Sequence, residues 1–240
     1  NALTLAIVII VCAVPEGLPL MISLVLMQNT SKMLDHNVLV RKAEGIETAG
    51  ALNILFSDKT GTITKGEMEV VQFFSGDGTI IDTKQINNYP DIRKKLHVAI
   101  GKNTSSMFDE HHRVISGNAT DQALMKFLGE DSYLKMKEDP SLEIFASQKF
   151  NSSNKFSQAQ IGGLTYYKGA PERLLQKADR YMGTDGQLHP LDLSCINQRI
   201  DTLAKKAMRV IAFGYSEEPL QENCISGNLV LIGLAAIRDD

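Results

Sequence analysis

Residues 51–68 read ALNILFSDKTGTITKGEM, and the reading of the whole chain turns on them. The apolar stretch Asn53–Ser57 predicts a buried strand, and a tight polar loop follows it. Asp58 would then stand at the carboxyl end of a strand, where open α/β sheets place their sites. The Gly61 backbone and the hydroxyls of Thr60 and Thr62 can cradle phosphate oxygens. A carboxylate so placed can act as a nucleophile and form an aspartyl phosphate. It can also hold magnesium against a transferred phosphoryl group. A lone DKTG is equally compatible with a solvated turn. Seven residues, SDKTGTI, behind an apolar strand argue for the phosphate reading.

Upstream, Ala2 to Met27 is an apolar run with a single charged residue, Glu16. About 20 apolar residues span a bilayer, so a transmembrane segment is expected, with a buried core helix as the alternative. No basic start or small-residue cleavage site marks a signal peptide. Inside the run lies IIVCAVPEGLPLMISL, residues 9–24. Pro15 deprives the carbonyl of Val11 of its helical partner, and Pro19 does the same to that of Pro15. Gly17 lets the chain unwind. Free carbonyls at membrane depth are tolerated where they are buried in protein or line a wet cavity. An ionisable Glu16 there reads as a functional residue. Carbonyls plus one carboxylate form a hard oxygen set suited to calcium, sodium or protons. A simple proline kink with a protonated Glu16 is the competing reading. Lys32, Arg41 and Lys42 follow the run, which puts that side in the cytosol by the positive-inside tendency. No second apolar run follows, so everything after about residue 30 is expected to be cytosolic.

The 240 residues suffice for one or two domains, and 43% hydrophobic with 22% charged is ordinary for a chain with a real core. A net charge of -3 gives no basic field, so no nucleic-acid partner is expected. Cys12, Cys195 and Cys224 are far apart, which argues against a disulfide framework or structural zinc and fits a reducing compartment. The chain starts at Asn1 and stops at Asp240 directly after an apolar strand, so it reads as a segment of a longer protein.

Beyond Lys65 the pattern becomes mixed. MEVVQFFSGDGTIID predicts two strands around an Asp77-Gly78 turn. YPDIRKKLHVAIGKNT predicts a helix with Ile92, Leu96 and Ile100 on one face. NATDQALMKFLGE predicts another, capped by Thr120 and ended by Gly129. A strand pair then closes onto a helix starting at Pro171. A second Asp-Gly turn, a long helix and a strand over MRVIAFGY complete an α+β insert. A Walker-type phosphate loop is absent from the sequence. Phe150, Lys155, Lys168 and Arg209 could stack a base and neutralise phosphates, although lysines on strands more often lie on a solvated face. The adjacent His111 and His112 read as a solvated loop rather than a metal pair.

SDKTGT resembles the phosphorylation motif of P-type ATPases, and PEGLP resembles the broken fourth transmembrane helix of their calcium-pump branch. KGAPE, residues 168–172, resembles that family's signature in the nucleotide-binding domain. KFNSSNK is similar to the segment in which an aromatic stacks on adenine and a lysine follows. GNATDQAL resembles GNPTE-x-AL, with Asp121 in place of the usual Glu, and MRVIAFGY resembles the segment whose arginine meets the nucleotide phosphates. The resemblance covers essentially the whole chain in order.

The resemblance implies roles residue by residue. Asp58 is the phosphorylated residue; Lys59 and Thr62 contact phosphate; Asp58 and the carbonyl of Thr60 hold magnesium. Thr120, Asp121, Phe150, Lys155, Lys168, Gly169 and Arg209 bind ATP. Glu16 with the carbonyls of Val11, Cys12 and Val14 ligates the transported cation, calcium above all. Asp239 sits at a hinge where the family often has Asp-Pro; here Asp240 follows.

The expected fold is α/β: a transmembrane helix over 1–34, the first part of a Rossmann-like (HAD-type) phosphorylation domain over 35–70, an α+β nucleotide-binding insert over 71–226, and a return strand of the phosphorylation domain over 227–240. The expected function is that of a fragment of an ATP-driven calcium pump in the plasma membrane. Its partners would be ATP, membrane lipid, and the remaining transmembrane helices and actuator domain of the parent. Sodium, potassium, manganese or protons are the alternative cargo. A phosphotransferase of the same α/β superfamily, an ATP-binding regulatory module with an idle Asp58, and a membrane-tethered scaffold are the rival classes.

Overall fold

The computed structural model describes residues 2–13, 17–58, 62–64 and 66–239. Val14 and Glu16 of the expected ion site, and Lys59 and Thr60 of the expected phosphorylation loop, lie outside them. The chain divides into two compact units, residues 1–57 and residues 58–240.

The first unit is helical, with α1 (Ala2–Ala13), α2 (Gly17–Asp35) and α3 (Glu44–Gly50). Val11 and Cys12 fall in the last turn of α1. Pro19 stands in the first turn of α2, where its missing N–H needs no intrahelical acceptor. Its carbonyl accepts from Ser23 Oγ at 2.9 Å. The break expected within the membrane helix over 1–34, around Pro15 and Glu16, lies outside the described residues. Among the described residues no helix is long and apolar enough to cross a membrane. Among the described residues of the apolar run, α1 has 12 residues and α2 has 19, and the second half of α2 carries Gln28, Asn29, Ser31, Lys32 and Asp35.

The buried strand expected at Asn53–Ser57 is also corrected. These residues form no strand, and Phe56 is 93% exposed. A strand exists only by hydrogen bonding to a neighbour, and none of the described strands pairs with this stretch. The Rossmann-like sheet expected around Asp58 is therefore not assembled among the described residues.

The second unit contains β1 (Met68–Phe74), β2 (Ile80–Ile81), α4 (Pro90–Gly101), β3 (Met107–Phe108), β4 (Val114–Ile115), α5 (Ala119–Leu128) and α6 (Glu130–Glu138). There follow β5 (Ile144–Asn151), β6 (Phe156–Ile161), β7 (Leu164–Gly169), α7 (Pro171–Leu174), β8 (Ala178–Met182), β9 (Leu188–Pro190), α8 (Leu193–Ala204), β10 (Arg209–Ser216) and β11 (Leu229–Asp239). It is a mixed α/β unit built on one large sheet in the order β2-β1-β11-β10-β7-β6-β5, with every pair on that path antiparallel. β8 pairs in parallel with the first residues of β11 and carries β9. β3 and β4 form a separate small ribbon.

Both faces of the sheet are covered, and the alternation along the strands shows it. Phe73, Phe213, Ile232 and Ile237 join one core with Ile92, Leu96 and Ile100 of α4, Leu124 and Leu128 of α5, and Met136 of α6. Phe74, Ala212, Leu231 and Leu234 join the other with Leu174 of α7 and Ile196 and Leu203 of α8. Every residue from Leu229 to Ile237 is buried. Residues 229–239 of the stretch expected to return to the phosphorylation domain thus form an interior strand of this sheet, between β1 and β10.

Local signals account for the helices that matter here. Pro90 opens α4, and its apolar face at Ile92, Leu96 and Ile100 is wholly buried. α5 is capped by Asn118 rather than Thr120: the Asn118 side chain accepts from the Asp121 N–H at 2.9 Å. Thr120 thereby falls inside the first turn. Gly129 ends α5 at φ 80, as expected.

Candidate functional site

At the end of β7 the chain runs Lys168-Gly169-Ala170 into Pro171 at the start of α7. The neighbouring β5–β6 hairpin turns through Lys155, which adopts the left-handed region at φ 60 and donates its N–H to Asn151 O at 2.7 Å. The Ala170 N–H donates to Lys155 O at 2.9 Å, which stitches the turn to the end of β7. Gly169 permits this approach: a Cβ there would stand 2.5 Å from Lys155 O and 2.6 Å from Phe156 Cβ. Phe150 projects from the outer strand β5 and Arg209 opens β10. Thr120 and Asp121 come from the first turn of α5.

These residues surround one cavity of about 540 Å³. All seven sequence-derived candidates for the nucleotide, Thr120, Asp121, Phe150, Lys155, Lys168, Gly169 and Arg209, line it. They come from positions 120 to 209, brought together by the sheet order. Asn118, Glu172, Val210 and Ile211 line it as well and were not singled out in the sequence. Asn118 carried a usable signal, an N-cap residue ahead of a helical apolar run. Val210 and Ile211 carried none, because apolar strand residues usually pack in a core.

The charges within the cavity are arranged unevenly. Lys168 Nζ meets Asp121 Oδ1 at 2.6 Å, with the two side chains 7% and 9% exposed. Lys168 Nζ also donates to Asn103 O at 2.5 Å. Burial pulls the Lys168 ammonium below the ordinary lysine range, and the Asp121 carboxylate opposes that. This end of the cavity is close to charge-neutral and well supplied with fixed dipoles. The Arg209 guanidinium donates to the Thr120 hydroxyl at 2.7 Å, and among the described residues it has no carboxylate partner. Lys155 and Glu172 form an exposed pair at 3.0 Å, which contributes little to stability. Phe150 is 53% exposed, leaving ring surface available to a flat ligand. A cavity of this size with an open aromatic, one buried ion pair and one uncompensated guanidinium suits a ligand with a planar apolar end and an anionic end.

Asp58 and Thr62 are exposed. Magnesium at Asp58 needs several oxygen donors in one place. Among the described residues no group of three His, Cys, Asp or Glu side chains could hold a metal ion. The residues described here do not complete a magnesium centre.

The sheet, its capped helices and this cavity correspond to a known class of cytoplasmic module. Residues 93–240 match the pattern of the P-type ATPase cytoplasmic domain N, and the chain belongs to the P-type ATPase family. It is 32% identical over 255 residues to the plasma membrane-type calcium-transporting ATPase 7 of Oryza sativa, covering 98% of this chain and 24% of that protein. It is 27% identical over 260 residues to a calcium-transporting ATPase of Listeria monocytogenes, covering 100% of this chain and 28% of that protein. A probable cation-transporting ATPase F of Mycobacterium bovis is 27% identical over 263 residues, with 98% and 29% covered. The chain thus spans about a quarter of the length of these relatives.

Proposed function

We propose that this chain is a segment of an ATP-driven cation pump whose reaction passes through an aspartyl phosphate at Asp58, with calcium as the transported ion. The observation that carries the reading is the convergence of seven separately nominated residues on one cavity inside a P-type ATPase domain N. In this reading the adenine of ATP stacks on Phe150 at the neutral end, near Lys168 and Asp121. Arg209 takes the phosphate end, where its charge is not already neutralised. Lys155 and Thr120 flank the ligand.

The chemistry belongs to Asp58. One carboxylate oxygen attacks the γ-phosphorus of ATP. The bond from that phosphorus to the β–γ bridging oxygen breaks, its electron pair leaves with ADP, and a mixed anhydride forms on Asp58. Phosphorylation then closes the ion site near Glu16 by conformational coupling. The oxygen set drawn from Val11, Cys12, Val14 and Glu16 suits calcium. The calcium-transporting names of the rice and Listeria relatives agree with that cargo, and the broader name of the mycobacterial one leaves room for another cation. The apolar run Ala2–Met27 supports a membrane location for the parent, for which the plasma membrane is our reading, with residues after about 30 in the cytosol. The rest of the cycle needs the remaining membrane helices and the actuator domain.

ATP titration of the chain in detergent solution tests the cavity. Binding is expected to saturate at one site, and Phe150→Ala should weaken it by about tenfold through loss of base stacking. A chain that binds no ATP, or binds it equally well without the Phe150 ring, contradicts the proposal.

A further inference from the structure

Lys168 is held by two anchors, and only one of them is a charged side chain. The other is the backbone carbonyl of Asn103, which takes the Lys168 ammonium at 2.5 Å. Asn103 lies two residues past the end of α4, next after its C-cap Lys102. Its own N–H donates back to Ile100 O at 3.3 Å. The Asn103 residue is only 6% exposed, yet its side chain reaches across to another element. Its Nδ2 donates to Ser157 O at 3.1 Å. Ser157 is the residue directly opposite Lys168 in the β6–β7 ladder, and its hydroxyl donates to the Lys168 carbonyl at 3.3 Å. Three of these contacts close a ring: Asn103 carbonyl to lysine head, lysine backbone to Ser157, Ser157 back to Asn103.

We propose that Asn103 is a positioning residue of the nucleotide cavity, its side-chain clamp on Ser157 holding the carbonyl that fixes Lys168 Nζ beside Asp121. The inference rests on the reading of the cavity as a nucleotide site. Two of the three ammonium protons are committed to Asp121 and Asn103, and among the described residues no third acceptor meets Nζ. One N–H is thus left for an uncharged acceptor on the ligand, such as a ring nitrogen of a purine. Because the Asp121 carboxylate already balances the charge, this end selects a base edge over a phosphate. Without the clamp, the buried ammonium loses one of the two groups that keep it protonated. Asp121 on α5 is its charged partner. Lys102 past α4, Lys149 on β5, Lys155 and Glu172 at the hairpin and α7, and Arg209 on β10 are the other charged groups around this cavity and a smaller one that shares Asp121 and Phe150 with it.

The test compares the wild-type chain with Asn103→Ala and, as a milder variant that keeps a small polar group, Asn103→Ser. Each is checked for folding by circular dichroism. The pH dependence of Lys168 acetylation by acetic anhydride is read by peptide mass spectrometry, with ATP affinity measured in parallel. Both variants should acetylate at Lys168 at lower pH than wild type, and ATP should bind about three- to tenfold more weakly. A folded variant with an unshifted acetylation curve overturns the anchor, whether or not ATP binds. A shifted curve in a chain that fails to bind ATP upholds the anchor and removes the nucleotide reading instead.

Discussion

Burial holds the His97 imidazole on α4 down to about 4, with the Arg93 charge one turn earlier adding to the shift. The ordinary value is 6.5, so between 6.5 and about 4 the unfolded chain binds a proton that the folded chain refuses. Stability from this residue is complete above 6.5 and is lost as the pH falls towards 4. The full shift is worth at most about 3 kcal/mol. In urea unfolding, His97→Gln should lose less stability than wild type between pH 6.5 and pH 5, a window in which most carboxylates stay charged. Equal losses would show that His97 is not held neutral. At this scale the sequence was informative wherever a side chain carries its own signature. KGAPE pointed to Lys168 and Gly169, and KFNSSNK to Phe150 and Lys155. Asn103 left no such trace, because what it offers Lys168 is a backbone carbonyl. The N-cap of α5 was misplaced by two residues, since Asn118 and Thr120 are both acceptable caps and only the register of the first turn separates them.

Among the elements, β11 depends on one glycine. Gly233 sits at φ 153, where the pairing of β10 with β11 shifts register between Phe213 and Gly214. On either side of it the residues facing the α4–α5 core change parity, from Val230 and Ile232 to Ala235 and Ile237. The bulge lets one strand keep both faces buried through its whole length. A Cβ at this position would stand 2.7 Å from the carbonyl oxygen of Phe74, backbone that cannot step aside, and would strike the Phe73 ring. Gly233→Ala should therefore destabilise the fold by about 3 kcal/mol or more, measured by urea unfolding; a loss below about 1 kcal/mol would mean the bulge tolerates a side chain. The apolar run over 229–237 was legible as a strand, but not its place in the sheet. Pairing is non-local, and the resemblance to a return strand pointed to the other domain. Asn53–Ser57 shows the converse: an apolar stretch reads as a strand, yet none of the described strands pairs with it and it is exposed.

At the scale of the molecule, the proposed reaction takes its nucleotide end from the sheet and cavity and its chemical end from Asp58. The α+β character of the insert was legible from the mixture of 2- and 3.6-residue periods, and the hairpin at Asp77-Gly78 from its turn residues. Periodicity does not settle the membrane segment, since a long apolar run is compatible with a spanning helix and with a buried core helix alike. The central claim is that ATP bound in this cavity phosphorylates Asp58 in a calcium-driven cycle. The measurement that tests it most directly is labelling of the complete parent protein from γ-labelled ATP, with a panel of cations and an Asp58→Asn control. A calcium-dependent, hydroxylamine-sensitive label that disappears in Asp58→Asn is the expected result; a label dependent on another cation would contradict calcium, and no label with any cation would contradict the pump.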